Sequence, residues 1–180
     1  LAAAFARHGA KVAITYCTYD DDAAAATVAI AAASPERIEP RVFKGSVADS
    51  QHVRDVVTQL AKDWGGIDVL VNNAAITQVV PISLLDEDDW DRLMDINVKG
   101  AYLFSRAVLR HMIRQKHGSI LFIGNFASER IIEAPIHYAA SKSALRGMTD
   151  ALAREVGRYG VRVNLLAPGL LTVGMSQGLP

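Results

Sequence analysis

The chain has 180 residues, 51% of them hydrophobic, with 19 Lys and Arg balanced against 19 Asp and Glu. The balance and its even spread exclude a basic nucleic-acid surface and any acidic or basic tail, and the apolar share suffices for the core of one globular domain. Cys17 is the single cysteine, which excludes an intrachain disulfide and a multi-cysteine metal site and suits a cytoplasmic protein; nor do the five histidines cluster with carboxylates at ligand spacing.

In chain order, Leu1 to Arg7 predicts the end of a helix stopped at Gly9, and Val12 to Tyr16 a short strand. A helix over Asp21 to Ala33 follows. Its alanine-rich run, interrupted by Thr27, falls far short of the roughly twenty apolar residues of a membrane span, so no membrane partner is expected. Next come a strand at Arg41 to Lys44, a helix at Ser50 to Trp64, and a strand at Asp68 to Asn72. The near-continuous apolar character of that strand predicts burial on both faces. Helices are predicted over Asp86 to Asn97 and Gly100 to Lys116, a strand over Ser119 to Ile123, a helix over Tyr138 to Arg158 and a last strand over Val161 to Leu165. This βα alternation predicts a doubly wound parallel α/β sheet that binds ligands at the carboxyl ends of its strands. No linker or repeat interrupts it, and residues 1–180 read as one Rossmann-like domain.

Chemistry concentrates at strand ends. Tyr138-Ala-Ala-Ser-Lys142 sets a phenol and an ammonium four residues apart, neighbours on one face of a helix. A cation there stabilises a phenolate and tunes a tyrosine toward acid–base work near neutrality. Asn72-Asn-Ala-Ala75 follows one strand, Asn97-Val-Lys-Gly100 divides two helices, and Asn164 to Gly169 ends the last strand.

Together these motifs, in this order and across essentially the whole chain, resemble the classical short-chain dehydrogenase/reductase family, and within it the 3-oxoacyl-carrier-protein reductases. The resemblance implies a Rossmann-like fold and hydride transfer between a nicotinamide cofactor and a carbonyl or alcohol. It makes Tyr138 the proton donor and acceptor, Lys142 the residue that lowers its pKa and binds the nicotinamide ribose, and Asn97 the helix-kinking residue that holds a relay water. The family's serine, thirteen residues before the tyrosine, is here Asn125. An amide donates as a hydroxyl does but with different reach. Asn125 is preferred to Ser128 as the catalytic substitute.

By the same resemblance, Asn72 and Ala74 lie beside the adenosine ribose, Ser46 and Val47 at the adenine, and Pro168, Gly169 and Leu171 at the nicotinamide amide; Val173 stands where a threonine is usual, with Thr172 one place early. Tyr16, Cys17 and Thr18 end the strand that chooses between cofactors. An acidic residue there would bond the ribose hydroxyls and repel a 2′-phosphate. None is present, and Asp20, Asp21 and Asp22 read as the solvated start of a helix. NADP is therefore expected over NAD. The family's first strand and glycine-rich turn, about twenty residues of the βα unit, and its C-terminal strand are not in the sequence, which reads as a fragment truncated at both ends. Gln78, Phe126, Glu129, Arg130, Ile131, Ile132 and Leu170 form a mixed, largely apolar wall suited to a ketone or 3-oxoacyl group. A homodimer or homotetramer is implied by resemblance alone, and His137 reads as structural. Two functions stand: an NADP(H)-dependent carbonyl reductase, carried by Asn97, Tyr138 and Lys142, and a catalytically silent binding or scaffold protein, favoured by Asn125 and the incomplete cofactor site.

Overall fold

The computed structural model describes residues 1–126 and 134–169. The order is α1 (Ala2–Arg7), β1 (Ala13–Tyr16), α2 (Asp20–Ala33), β2 (Arg41–Lys44), α3 (Ser50–Trp64) and β3 (Val69–Asn72). A 3-10 turn (Ile82–Leu84) precedes α4 (Glu87–Met94), a π turn (Asp95–Lys99), α5 (Gly100–Gln115), β4 (Gly118–Ile123), α6 (Ile136–Val156) and β5 (Val161–Leu166).

Local chemistry sets these limits. The Asp49 carboxylate caps α3 by accepting from the Gln51 and His52 amides, and Gly65 ends it with φ at 80°. Between them Val53, Val56, Val57 and Leu60 form one buried stripe at helical spacing. That stripe packs with Val108 and Met112 of α5 and with Ile120 and Phe122 of β4, the last three fully buried, in a single core.

All strand pairs are parallel. β1 pairs with β2, and β4 lies between β3 and β5. The order β2-β1 and β3-β4-β5 matches positions 3-2 and 4-5-6 of the doubly wound arrangement 3-2-1-4-5-6. Among the described residues no strand occupies the position between β1 and β3. The predicted parallel sheet with flanking helices is thus present, and the strand order reverses across that position.

Two expectations are corrected. The Asp68 to Asn72 strand is not buried on both faces. Val69 is 43% exposed and the rest of β3 half-buried, and β3 is the edge of the three-stranded sheet. The helices predicted over Asp86 to Asn97 and Gly100 to Lys116 form one continuous run, with no break at Asn97. The chain passes through the π turn at Asp95–Lys99 and stays helical into α5.

Candidate active site

Two loops meet at the carboxyl edge of the three-stranded sheet. The Gly124 amide donates to the Leu166 carbonyl (2.8 Å) and the Phe126 amide to the Pro168 carbonyl (3.1 Å), so the segment carrying Asn125 lies against the one carrying Pro168 and Gly169. A β-carbon at Gly124 would come within 2.8 Å of the Leu165 side chain, which is why a glycine leads into that loop.

The first turns of α6 bring Tyr138 and Lys142 to this edge. Lys142 is buried, its ammonium donates to the Ile123 carbonyl at 2.8 Å, and it stands 5.6 Å from the centroid of the Tyr138 ring. Burial pushes its pKa down to about 8. Burial also pushes the Tyr138 phenol up, and a hydrogen bond from the Asn125 side chain pulls it partly back. The lowering expected from Lys142 is not the net result in the protein alone. The ammonium donates to a backbone carbonyl and faces the ring, and desolvation is the larger influence on the phenol.

Asn97 sits in the π turn, 1% exposed. Its Oδ1 accepts from the Ile76 amide at 2.8 Å, and its Nδ2 donates to the Ile76 carbonyl at 3.0 Å and to Ser141 Oγ at 3.1 Å. Both amide protons are therefore engaged. The side chain fastens the loop after β3 to α6, and any water held by this residue must donate to the remaining Oδ1 lone pair or bond its backbone. Ser141 extends the chain by donating from Oγ to the Tyr138 carbonyl at 2.8 Å. Nothing in the sequence singled out Ser141, because only the tertiary approach of the π turn to α6 gives it a partner.

The expected cofactor residues line the carboxyl ends of β1, β2 and β3. Asn72 Nδ2 donates to Ser105 Oγ at 3.1 Å, and Ala74 is exposed beyond it. Ser46 Oγ accepts from the Ala48 amide at 3.2 Å, and Val47 packs so closely on α5 that a β-carbon at Gly100 would meet its Cγ2 at 2.6 Å. Cys17 and Thr18 are exposed and Tyr16 is half-buried. Leu171, Ser128, Glu129, Arg130, Ile131, Ile132, Leu170, Thr172 and Val173 lie outside the described residues.

Asp20 is not a merely solvated helix start. Its carboxylate accepts from the Tyr16 hydroxyl at 2.7 Å and from Lys44 Nζ at 2.8 and 2.7 Å. Lys44 is the register partner of Tyr16 on the neighbouring strand, a pairing that sequence spacing does not reveal. His137, read as structural, is fully buried, and neither ring nitrogen has a partner among the described residues. Burial holds its pKa below the usual imidazole value, with Asp89 pulling weakly the other way. Asp89 itself accepts from Gln78 Nε2 at 2.9 Å.

A parallel doubly wound sheet with Tyr138, Lys142, Asn97 and Asn125 at its carboxyl edge defines a class of nucleotide-dependent oxidoreductases. The short-chain dehydrogenase family model matches residues 1–180, and the chain belongs to that family. The chain is similar to the 3-oxoacyl-[acyl-carrier-protein] reductase of Thermotoga maritima, at 35% identity over 146 residues, 81% of this chain and 58% of that protein. It is also similar to the gluconate 5-dehydrogenase of Gluconobacter oxydans, at 33% identity over 99% of this chain and 68% of that protein. The chain thus spans roughly three fifths to two thirds of these relatives' lengths. Among solved structures it superposes on a gluconate 5-dehydrogenase from Burkholderia cenocepacia in complex with NADP and tartrate. There the TM-score is 0.87 at 32% identity, covering 99% of this chain and 68% of that one.

Proposed function

We propose that the protein reduces a ketone or 3-oxoacyl group to a secondary alcohol, with NADPH preferred over NADH and Tyr138 as the proton donor. The observation that carries the reading is the Tyr138 phenol, hydrogen-bonded by Asn125 and backed by the buried Lys142 ammonium. The relatives named as 3-oxoacyl reductases and sugar-acid dehydrogenases favour a carbonyl substrate, and the neighbour solved with NADP favours the phosphorylated cofactor.

The residues present fit a nicotinamide dinucleotide. Lys142 is a desolvated cation whose one hydrogen bond among the described residues uses one of three N–H donors, leaving two for sugar hydroxyls and the phenol. Val47 packs on Gly100 in the turn after β2, where it would offer an apolar contact to an adenosine. Tyr16, Cys17, Thr18 and Ser46 would hold its far end, and Pro168, Gly169 and Leu171 the nicotinamide amide. When bound, the cofactor supplies the hydride.

The remaining chemistry belongs to the protein. Charge developing on a carbonyl oxygen needs a proton as it forms, and Tyr138 Oη delivers it. The Asn125 amide has two N–H groups, so one can bond the phenol while the other meets the same carbonyl oxygen. Lys142 then faces the phenolate left behind and stabilises it at short range. Asn97 and Ser141 act further back as positioning residues, clamping the start of α6 to Ile76.

The test is Tyr138→Phe, assayed by NADPH oxidation with a 3-oxoacyl thioester. The substitution removes one hydroxyl and is expected to cut kcat about 10³-fold, within the range for a lost general acid. Turnover equal to that of the parent protein would sink the assignment. Asn125 in the serine's place favours the second reading, a catalytically silent binding protein. Parent turnover no higher than the background rate without protein would establish it.

A further inference from the structure

One buried polar side chain beside the catalytic group takes no part in the proton transfer. His137 precedes Tyr138 in the first turn of α6 and is fully buried. The buried polar side chains that follow it on that helix are satisfied. Ser141, one turn on and on the same face, bonds Asn97 and the Tyr138 carbonyl; Lys142 donates to the Ile123 carbonyl, and Thr149 to the Leu145 carbonyl at 2.8 Å. Neither nitrogen of His137 has a partner among the described residues. An unpaired buried polar group is costly, and a leucine would fill the slot without that cost.

Few charges surround the ring. Among the described residues Asp89, on α4, is the one whose field reaches it, and α4 packs against α6. Glu87, Asp88, Asp91 and Arg92 of α4 are exposed. Asp95 and Lys99 of the neighbouring π turn pair with each other at 3.0 Å, and Lys142 is engaged at Ile123. Asp89 accepts from Nε2 of Gln78, in the loop after β3 whose Ile76 is held by Asn97.

We propose that His137 is a positioning residue for Tyr138 that works only as the neutral imidazole, and that on protonation it turns to Asp89 and disengages the phenol, so that turnover shuts off in mild acid while the fold persists. This rests on the reading of Tyr138 as the proton donor. The imidazolium carries two N–H donors and a full charge, and a buried charge without a partner is far more costly than a buried neutral dipole. Asp89 is the acceptor at hand. Reaching it draws the first turn of α6 toward α4 and sets the ring in competition with Gln78. Tyr138 is the next residue and its carbonyl is tied to Ser141, so the phenol moves with that turn. A displacement of about 1 Å at a reacting group costs about 10²-fold in rate. Burial holds the ring's pKa below 6.5, so the neutral form prevails at neutral pH and is lost as the solution turns acid.

The experiment measures kcat for NADPH-dependent reduction of a 3-oxoacyl thioester from about pH 7.5 to about pH 5, with far-UV circular dichroism at each pH, for the parent, His137→Asn and Asp89→Asn. Parent kcat is expected to fall by up to about tenfold per pH unit on the acid side, as for one protonation, while the dichroism keeps its neutral value. Relative to its own neutral plateau, His137→Asn should retain at least about threefold more turnover at the acid end than the parent does. Asp89→Asn keeps an acceptor for Gln78 but loses the charge, so its acid limb should move about half a pH unit lower. The NMR ring resonance missing from His137→Asn identifies His137, and its titration should move likewise in Asp89→Asn, with or without substrate. A parent kcat that stays flat or falls only together with the dichroism, an acid limb common to the parent and both variants, or a His137 titration indifferent to Asp89 overturns the inference and leaves the reductase reading standing. A parent without turnover at any pH overturns both.

Discussion

Asn125 offers two amide donors where a serine hydroxyl offers one, and it already bonds the Tyr138 phenol. Asn125→Ala is expected to lower kcat about 10²-fold, the usual cost of one lost oxyanion donor, and to raise the phenol's pKa further. The alkaline limb of the kcat profile should therefore move to higher pH. Asn125→Ser should recover most of the turnover; an alanine variant with unchanged kcat would remove Asn125 from the site. Lys142 presents the opposite balance, because its function works against stability. Its pKa falls from 10.5 to about 8 on burial, which corresponds to about 3 kcal/mol of unfavourable desolvation at neutral pH. The unfolded chain binds more protons between pH 8 and 10, so folding stability from this group rises with pH across that window. Tyr138, with a raised folded pKa, works in the other direction above pH 10. Lys142→Met should abolish turnover yet stabilise the fold by about 1 kcal/mol, less than the full desolvation penalty because the Ile123 carbonyl loses its donor, and should flatten the pH 8 to 10 slope in urea titrations.

At the scale of elements, the contact between α5 and the turn after β2 shows how packing and site are joined. Alanine at Gly100 would gain about 1 kcal/mol of helix propensity, but its β-carbon would stand 2.6 Å from Val47 Cγ2 and 3.3 Å from the Val47 carbonyl. A stiff valine and a backbone oxygen cannot both yield, and overpacking costs about 1–3 kcal/mol. Gly100→Ala should therefore lower Tm by about 2–4 °C, and Val47→Ala in the same chain should restore it, a cycle that reads the coupling directly. The motif Asn97 to Gly100 was visible in the sequence, but its shape was not. Polar residues at a helix junction predict a break, whereas the chain inserts a π turn that keeps both segments helical and turns Asn97 inward to Ile76 and Ser141. The burial of β3 was misjudged for a related reason: an apolar run announces contact with apolar surface but not on which side a neighbour stands.

Over the whole molecule, acid stability should hinge on His137. It is fully buried, lacks a partner on either nitrogen among the described residues and has a depressed pKa, so the unfolded chain takes up a proton that the folded one resists. Its contribution is intact above the unfolded value of 6.5 and is lost as pH falls below it. His137→Leu should reduce the loss of Tm between pH 6.5 and 5 and raise Tm at neutral pH, because an unpaired buried polar group is removed; an unchanged acid slope would show that other groups govern it.

The sequence by itself determined the order and type of the elements, the parallel doubly wound class and the Tyr138 to Lys142 motif, while Asn97 and Asn125 were marked as site residues only by the family resemblance. These are local signals of hydrophobic period, capping residues and short motifs, which act over one or two helical turns. Only the tertiary structure decided which charges meet. It brought Lys44 to Tyr16 and Asp20, Ser141 to Asn97, and Lys142 to the Ile123 carbonyl, pairs separated by 19 to 44 residues except where Tyr16 and Asp20 share a turn. Partners, burial and therefore pKa depend on which surfaces face each other once the strands are in register, and no local pattern encodes that.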